Sequence, residues 1–237
     1  MLKVIESIIV KFLPYSIYRF LGGVYGVFIK RNSYSQYGED LIILEFFKKQ
    51  KKTFGTYLDI GAFHPIFISN THLMHKLGWE GYVVDIDKQK LQAFKLIRGK
   101  KVTTFFNAVT PIENNEKIVC YKFNRMWSEI DTLSKEVAEK TKKETGIDYF
   151  TDLVSTISVN KLLEITGRVD LLNIDIEGLD NLIIESIDFE KYGPSLIVFE
   201  DNETWGGSRS ILSILESKGY SHLFTSNGSV GYCRIND

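Results

Sequence analysis

The chain has 237 residues, enough for one large domain with a sizeable core, and 44% hydrophobic with 25% charged residues is ordinary globular composition, which excludes a disordered polypeptide. Its 29 basic and 30 acidic side chains leave a formal net charge of -1, so no global field would hold a polyanion and nucleic acid is not expected as a partner. The two cysteines, Cys120 and Cys233, show no metal-ligand spacing and cannot build a disulfide framework, so a cytoplasmic setting is the simplest expectation.

Residues 1–32 read as an N-terminal helical extension ahead of a main domain over 33–237. Leu2, Val4, Ile5, Ile8, Ile9, Phe12 and Leu13 make an apolar stretch that Lys3, Glu6 and Lys11 interrupt. Pro14 would end or kink it, and the run is too short to span a membrane. Aromatic and basic residues follow, among them Tyr15, Tyr18, Arg19, Phe20, Tyr25, Phe28 and Lys30. They suit either peripheral contact with a membrane surface or packing on the domain or on a second subunit of a homo-oligomer.

Tyr34-Ser35-Gln36-Tyr37-Gly38-Glu39-Asp40 is a polar turn leading into a helix whose buried face carries Leu41, Ile42, Leu44, Phe46 and Phe47. Gln36, Glu39 and Asp40 either cap that helix, where carboxylates favour the positive end of the dipole, or fold over a ligand as a lid. A first strand is predicted over 56–59. It ends at Asp59-Ile60-Gly61-Ala62-Phe63-His64-Pro65, and Asn70 is placed as the cap of a helix running to Gly78. A second strand over 81–85 ends in Asp85, with Asp87 opening the next helix, and a third over 102–106 ends at Asn107-Ala108-Val109.

Residues 113–156 break this rhythm and read as an insertion. They hold a strand over 117–123, a charged helical run over 129–144, and an aromatic loop at Tyr149-Phe150. A fourth strand, 169–175, runs into Ile176-Glu177-Gly178, a helix follows over 179–187, and a fifth strand over 195–200 ends in Glu200. A helix over 211–216 precedes two runs flanking Asn227-Gly228, a hairpin signal. The expected fold is therefore α/β, a mostly parallel Rossmann-like sheet with helices on both faces, closed by an antiparallel C-terminal hairpin that a plain dinucleotide fold lacks.

In open α/β sheets ligands bind beyond the carboxyl ends of the strands. Asp59 and Gly61 after the first strand, with Asp85 ending the second, suit a nucleoside, since a carboxylate accepts from both ribose hydroxyls and glycine admits the backbone close to the ligand. One glycine stands where a dinucleotide site needs three, which argues against NAD and for S-adenosylmethionine, whose cationic amino-acid end would welcome carboxylates.

The Tyr34 to Asp40 stretch, the Asp59 to Pro65 stretch, Ser69-Asn70-Thr71, Gly78-Trp79-Glu80-Gly81 and Asn173-Ile174-Asp175-Ile176-Glu177-Gly178 together resemble the FkbM family of S-adenosylmethionine-dependent methyltransferases, over about residues 33–200. The resemblance implies a class I methyltransferase sheet of seven strands. It also implies methyl transfer to oxygen, commonly on sugars of surface glycans or on sugar-bearing metabolites, with residues 113–156 on the substrate side. By position, Asp59, Gly61 and Ala62 would lie at the methionine part of the cofactor, Asp85 at the ribose, and Asn107 and Ala108 at the adenine; Gln36 and Glu39 would cover it. Asp85-Ile86 departs from the family's frequent glutamate followed by proline.

Asp175, ending the fourth strand, would face the sulfonium. Asp175 or His64 could take the proton of a sugar hydroxyl, with Glu177 alongside. Alternatively Asp175, Glu177 and Glu200 could hold Mg2+ or another divalent cation that acidifies the hydroxyl. Each has a structural alternative: Glu177 can begin the next helix, His64 can bond the turn backbone, and Trp127 and Trp205 can be core rather than sugar-stacking residues. A module that binds the cofactor without catalysis, or that serves as scaffold in a glycan-assembly complex, is the rival reading.

Overall fold

The computed structural model describes residues 32–235, apart from 115, 125–126, 129, 177–178, 201–209 and 227–228. The expected N-terminal extension, Glu177, Gly178, Trp205 and the Asn227-Gly228 turn lie outside the described residues.

Chain order runs α1 (Glu39–Lys49), β1 (Thr56–Ile60), α2 (His72–Lys76), β2 (Glu80–Asp85), α3 (Lys88–Arg98), β3 (Val102–Phe106), β4 (Ala108–Thr110), β5 (Lys117–Phe123), α4 (Lys135–Thr145) and β6 (Tyr149–Ser158). It continues with α5 (Val159–Thr166), β7 (Leu171–Ile174), α6 (Asp180–Glu185), α7 (Phe189–Tyr192), β8 (Leu196–Glu200), α8 (Ser210–Ser217), β9 (Tyr220–Ser226) and β10 (Ser229–Arg234). The main sheet has seven strands in the order β3-β2-β1-β7-β8-β10-β9. β10 is antiparallel to both its neighbours and every other pairing is parallel, the sheet of a class I methyltransferase. Among the described residues no helix is long and apolar enough to cross a membrane.

Alternation along the strands explains why helices cover both faces. Leu58, Ile60, Val84, Leu172, Ile174, Ile197 and Phe199 point into one apolar cluster with α5 through Val159, Leu162 and Leu163, and with α6 through Ile183 and Ile184. Their neighbours Tyr57, Val83, Leu171, Leu196 and Val198 point into the other, against α1 through Ile43 and Phe47 and α3 through Leu91 and Phe94. Helix ends follow capping chemistry. Asp87 accepts from Gln89 N and Lys90 N to start α3, and Ser158 accepts from Lys161 N to start α5. Asn70 is not the cap expected for α2. The Ser69 hydroxyl accepts from His72 N, and the Asn70 amide instead donates to Asn173 Oδ1 at 2.9 Å.

The insertion is a small sheet. Its strands β5 and β6 join β4, which precedes the insertion, in the order β4-β6-β5, and β6 spans ten residues where a loop is expected at Tyr149-Phe150. β6 pairs antiparallel with β5 and parallel with β4, so the ladder has a long-range partner that local sequence does not announce. Ala108, Cys120 and Val154 form its own core, packed on Ile86 and Phe106 at the end of the main sheet.

Candidate active site

The carboxyl ends of β1 and β7 lie side by side, in register Ile60 to Ile174, so the residues that follow them, Gly61 and Asp175, meet at the sheet's edge. Asp175 N donates to Ile60 O and Gly61 N to Val84 O, both at 2.9 Å. Gly61 has φ +79, and a Cβ there would stand 1.8 Å from the Asp175 carbonyl oxygen. What demands glycine is thus the chain's own backbone on the adjoining strand, where the sequence points to close approach of a ligand.

A cavity of about 240 Å³ opens at this edge and runs from Asp175 and Gly61 past Asp85 to Asn107 and Ala108. Glu200, ending β8, and Gln36 reach the same cavity. Asp85 is buried. Its Oδ1 accepts from Asp87 N at 2.6 Å, and its Oδ2 faces Lys90 Nζ at 3.5 Å. Lys90 Nζ is also 3.7 Å from Asp131 Oδ2, so a buried cation stands between two carboxylates. Loss of water raises the Asp85 carboxyl to about 6, against the pull of Lys90, with Asp87 and Asp131 adding to the rise. Asn107 turns its amide away, donating to Ser155 O and Thr156 O and tying the main sheet to the insertion.

A smaller polar cavity, about 50 Å³, adjoins the first and shares Gln36, Gly61, Phe63, Ile68 and Asp175 with it. Asp59, Asn173, Glu39 and His64 line it too. Asp59 and Asn173 face each other in register across β1 and β7, and Asn173 Nδ2 donates to Asp59 Oδ1 at 2.9 Å. Thr71 Oγ1 donates to Asp59 Oδ2 at 2.6 Å. Burial pushes the Asp59 carboxyl up, and the Arg98 charge with these two bonds works against the rise. Glu39 is buried. Its Oε2 accepts from Tyr37 N at 2.8 Å while its Oε1 has no hydrogen-bond partner. Asp40, by contrast, does not cap α1 but ties down the preceding turn, accepting from Ser33 Oγ, Tyr34 N and Ser35 Oγ.

His64 is held as a turn residue. Its Nδ1 accepts from Ile66 N and Phe67 N at 3.0 Å each, so a neutral ring carries its proton on Nε2. The ring packs against Trp127 at 4.2 Å and Phe67 at 4.9 Å. Trp127 is itself 7% exposed, a core residue rather than an open sugar platform. Among the described residues no group of three or more His, Cys, Asp and Glu could hold a metal, so Asp175 and Glu200 lack a third described ligand; Glu177 lies outside the described residues.

Several residues that build the site carry no expectation from sequence. Arg98, ending α3, donates to Pro65 O, Tyr57 OH, Thr71 Oγ1 and Ser69 Oγ at 2.8 to 2.9 Å, and so fixes the segment after β1. Asn173 stands beside Asp175 in sequence, but its partnership with Asp59 arises only from the register of β1 against β7. Lys90 and Asp131 carry no signal, because their meeting depends on how the insertion folds.

The Methyltransferase FkbM domain profile matches residues 59–221. No curated protein sequence matches the chain. Among solved structures, the chain is similar to a "putative RNA methyltransferase" from Pyrococcus horikoshii at 12% identity and TM-score 0.43, covering 90% of this chain and 97% of that one. It is also similar to a "putative O-methyltransferase" from Klebsiella pneumoniae at 10% identity and TM-score 0.44, covering 98% and 97%. With the matched segment spanning β1 to β9 and both cavities at the strand ends, the chain belongs to the FkbM methyltransferase family.

Proposed function

We propose that the protein is an S-adenosylmethionine-dependent O-methyltransferase acting on a hydroxyl of a sugar, a surface glycan or a sugar-bearing metabolite. The observation that carries this reading is the position of Asp175, exposed and lining both cavities at the junction between the nucleoside-sized space and the acidic one.

The residues fit the cofactor. The unpartnered, buried Glu39 Oε1 and the carboxylate of Asp59 suit an ammonium group, and Asp85 at the far end suits paired hydroxyls. When bound, the cofactor supplies a methyl group on a cationic sulfur. Gln36 and Glu39 cover the amino-acid end, and Asn107 and Ala108 border the space at the end of β3, whereas Ala62 packs into the core beneath α1 and α3 rather than lining either cavity. Asp175 accepts the proton of the acceptor hydroxyl as its oxygen becomes a nucleophile. His64 holds the turn instead, since its Nδ1 already receives two backbone N–H groups. A metal variant, in which Asp175, Glu177 and Glu200 bind a divalent cation, makes a separate prediction.

Calorimetry with S-adenosylhomocysteine, followed by methyl transfer to a panel of glycans, tests the reading. Absence of binding at millimolar ligand overturns it. The Asp175→Asn variant is expected to lower kcat at least about 100-fold with an unchanged circular dichroism spectrum. Retained activity in EDTA then assigns the proton to Asp175 and dismisses the cation.

A further inference from the structure

A second and larger cavity, about 570 Å³, opens between the start of α3 and the insertion sheet, and Asp131 stands in the wall of both it and the nucleoside-sized cavity. Its apolar lining is Phe106 at the end of β3, Phe123 on β5, and Phe150 and Leu153 on β6. On one face of the small sheet, Cys120 and Val154 close onto their own core. Lys122, Phe150 and Asp152 on that same face line the cavity instead, with Lys122 in register opposite Phe150.

The acids in this wall already have partners. Asp87 caps α3, accepting from Gln89 N at 2.7 Å. Asp131 accepts from Phe123 N at 3.0 Å and faces Lys90. Asp152 accepts from Lys122 Nζ at 2.9 Å and from Leu153 N at 2.8 Å. The capacity left over is on the donor side. Lys88, the first residue of α3, lies over the Phe106 ring at 4.6 Å. Lys122 lies over the same ring at 5.6 Å. Independently, Ser128 lines the cavity, is 3% exposed, and its hydroxyl has no hydrogen-bond partner.

We propose that this cavity is a binding site for an anionic group, a phosphate or a carboxylate, carried on a sugar-sized ring. Lys88, Lys122 and the Ser128 hydroxyl receive the anion, and Phe106 and Phe150 take the apolar face of the ring. The site goes beyond the methyl-transfer reading and does not depend on it, because it is built from groups the cofactor does not need. Among the described residues, Asp131 is the one wall residue that touches both spaces.

The test is calorimetric titration of the full chain with glucose 6-phosphate, glucuronate and glucose at low ionic strength. At least one of the two anionic sugars is expected to bind about tenfold or more tightly than glucose, and the tighter of the two identifies phosphate or carboxylate as the recognised group. Lys88→Gln and Lys122→Gln are each expected to weaken that ligand about tenfold, with unchanged circular dichroism. Equal affinity for the three sugars, or no binding of any, overturns the proposal. So does a preference for the anionic sugar that survives in the Lys88→Gln/Lys122→Gln double variant. S-adenosylhomocysteine binding, measured alongside in the wild-type protein, separates the two proposals: its failure strikes the methyl-transfer reading and leaves this one standing.

Discussion

Gly61 joins backbone strain, packing and site geometry at one residue. With φ at +79 and only 1.8 Å between the place a Cβ would take and the Asp175 carbonyl oxygen, Gly61→Ala must part the ends of β1 and β7. It is expected to destabilise the fold by about 3 kcal/mol or more, read as a lowered urea midpoint. Asp85 makes a pH prediction. Its folded pKa of about 6 lies above the ordinary aspartate value of 3.8, so it is largely ionised at pH 7 and takes up a proton as pH falls through 6. Raised in the folded state, it favours folding as pH falls from about 6 to 3.8, the reverse of a salt-bridged carboxylate. The protonated carboxyl accepts ribose hydroxyls less well, so S-adenosylhomocysteine affinity is expected to fall below pH 6. Asp85→Asn should bind weakly with a flat profile over the same range. Equal pH profiles for the two proteins would remove Asp85 from the ribose.

Elements here are joined by single polar side chains at their ends. α3 is docked through Leu91 and Phe94 on its apolar face, and its last residue, Arg98, reaches across to Tyr57 on β1 and to Pro65, Ser69 and Thr71 beyond it. Arg98→Met keeps the stem but leaves Ser69 and Thr71 without the guanidinium, and Thr71 in turn holds Asp59. A loss of about 3 to 5 kcal/mol is expected in denaturant unfolding, accompanied by weaker cofactor binding. The helices and strands of the βα units were legible, because caps such as Asp87 and apolar runs such as 196–199 act within a few residues. β6 was not, because Tyr149 to Ser155 are mostly exposed, with no hydrophobic period, and pair with a strand some thirty residues earlier. Lys52, just beyond the end of α1, pairs with Asp170, which also accepts from Thr56 N at the start of β1.

On the scale of the molecule, burial of ionisable groups sets the response to acid. His72 and His75 lie near Arg98, and loss of water together with that charge lowers them to about 3 and about 4. His72 also feels His75, Lys76 and His64, and its ring meets Tyr34 edge-on at 4.5 Å. A histidine lowered in the folded state stabilises the protein above its unfolded pKa of 6.5, and that contribution is lost as pH falls towards the folded value. Between pH 7 and pH 5 the unfolded chain gains protons on His72 that the folded chain refuses. His72→Phe, which preserves the ring packing, is therefore expected to lose about 2 kcal/mol less stability over that interval in urea titrations. The order of the βα units, the reversed terminal hairpin, the strand-end acids and the family were determined by sequence alone, because strand runs, caps and turn residues act over short range and the strand ends follow from them. The tertiary structure decided which acids are buried, that His64 serves the turn, that Lys90 lies between Asp85 and Asp131, and that the insertion builds a second cavity. Those outcomes depend on contacts between residues far apart in the chain, 114 positions for Asp59 and Asn173, and on the water such contacts exclude, which no local pattern encodes.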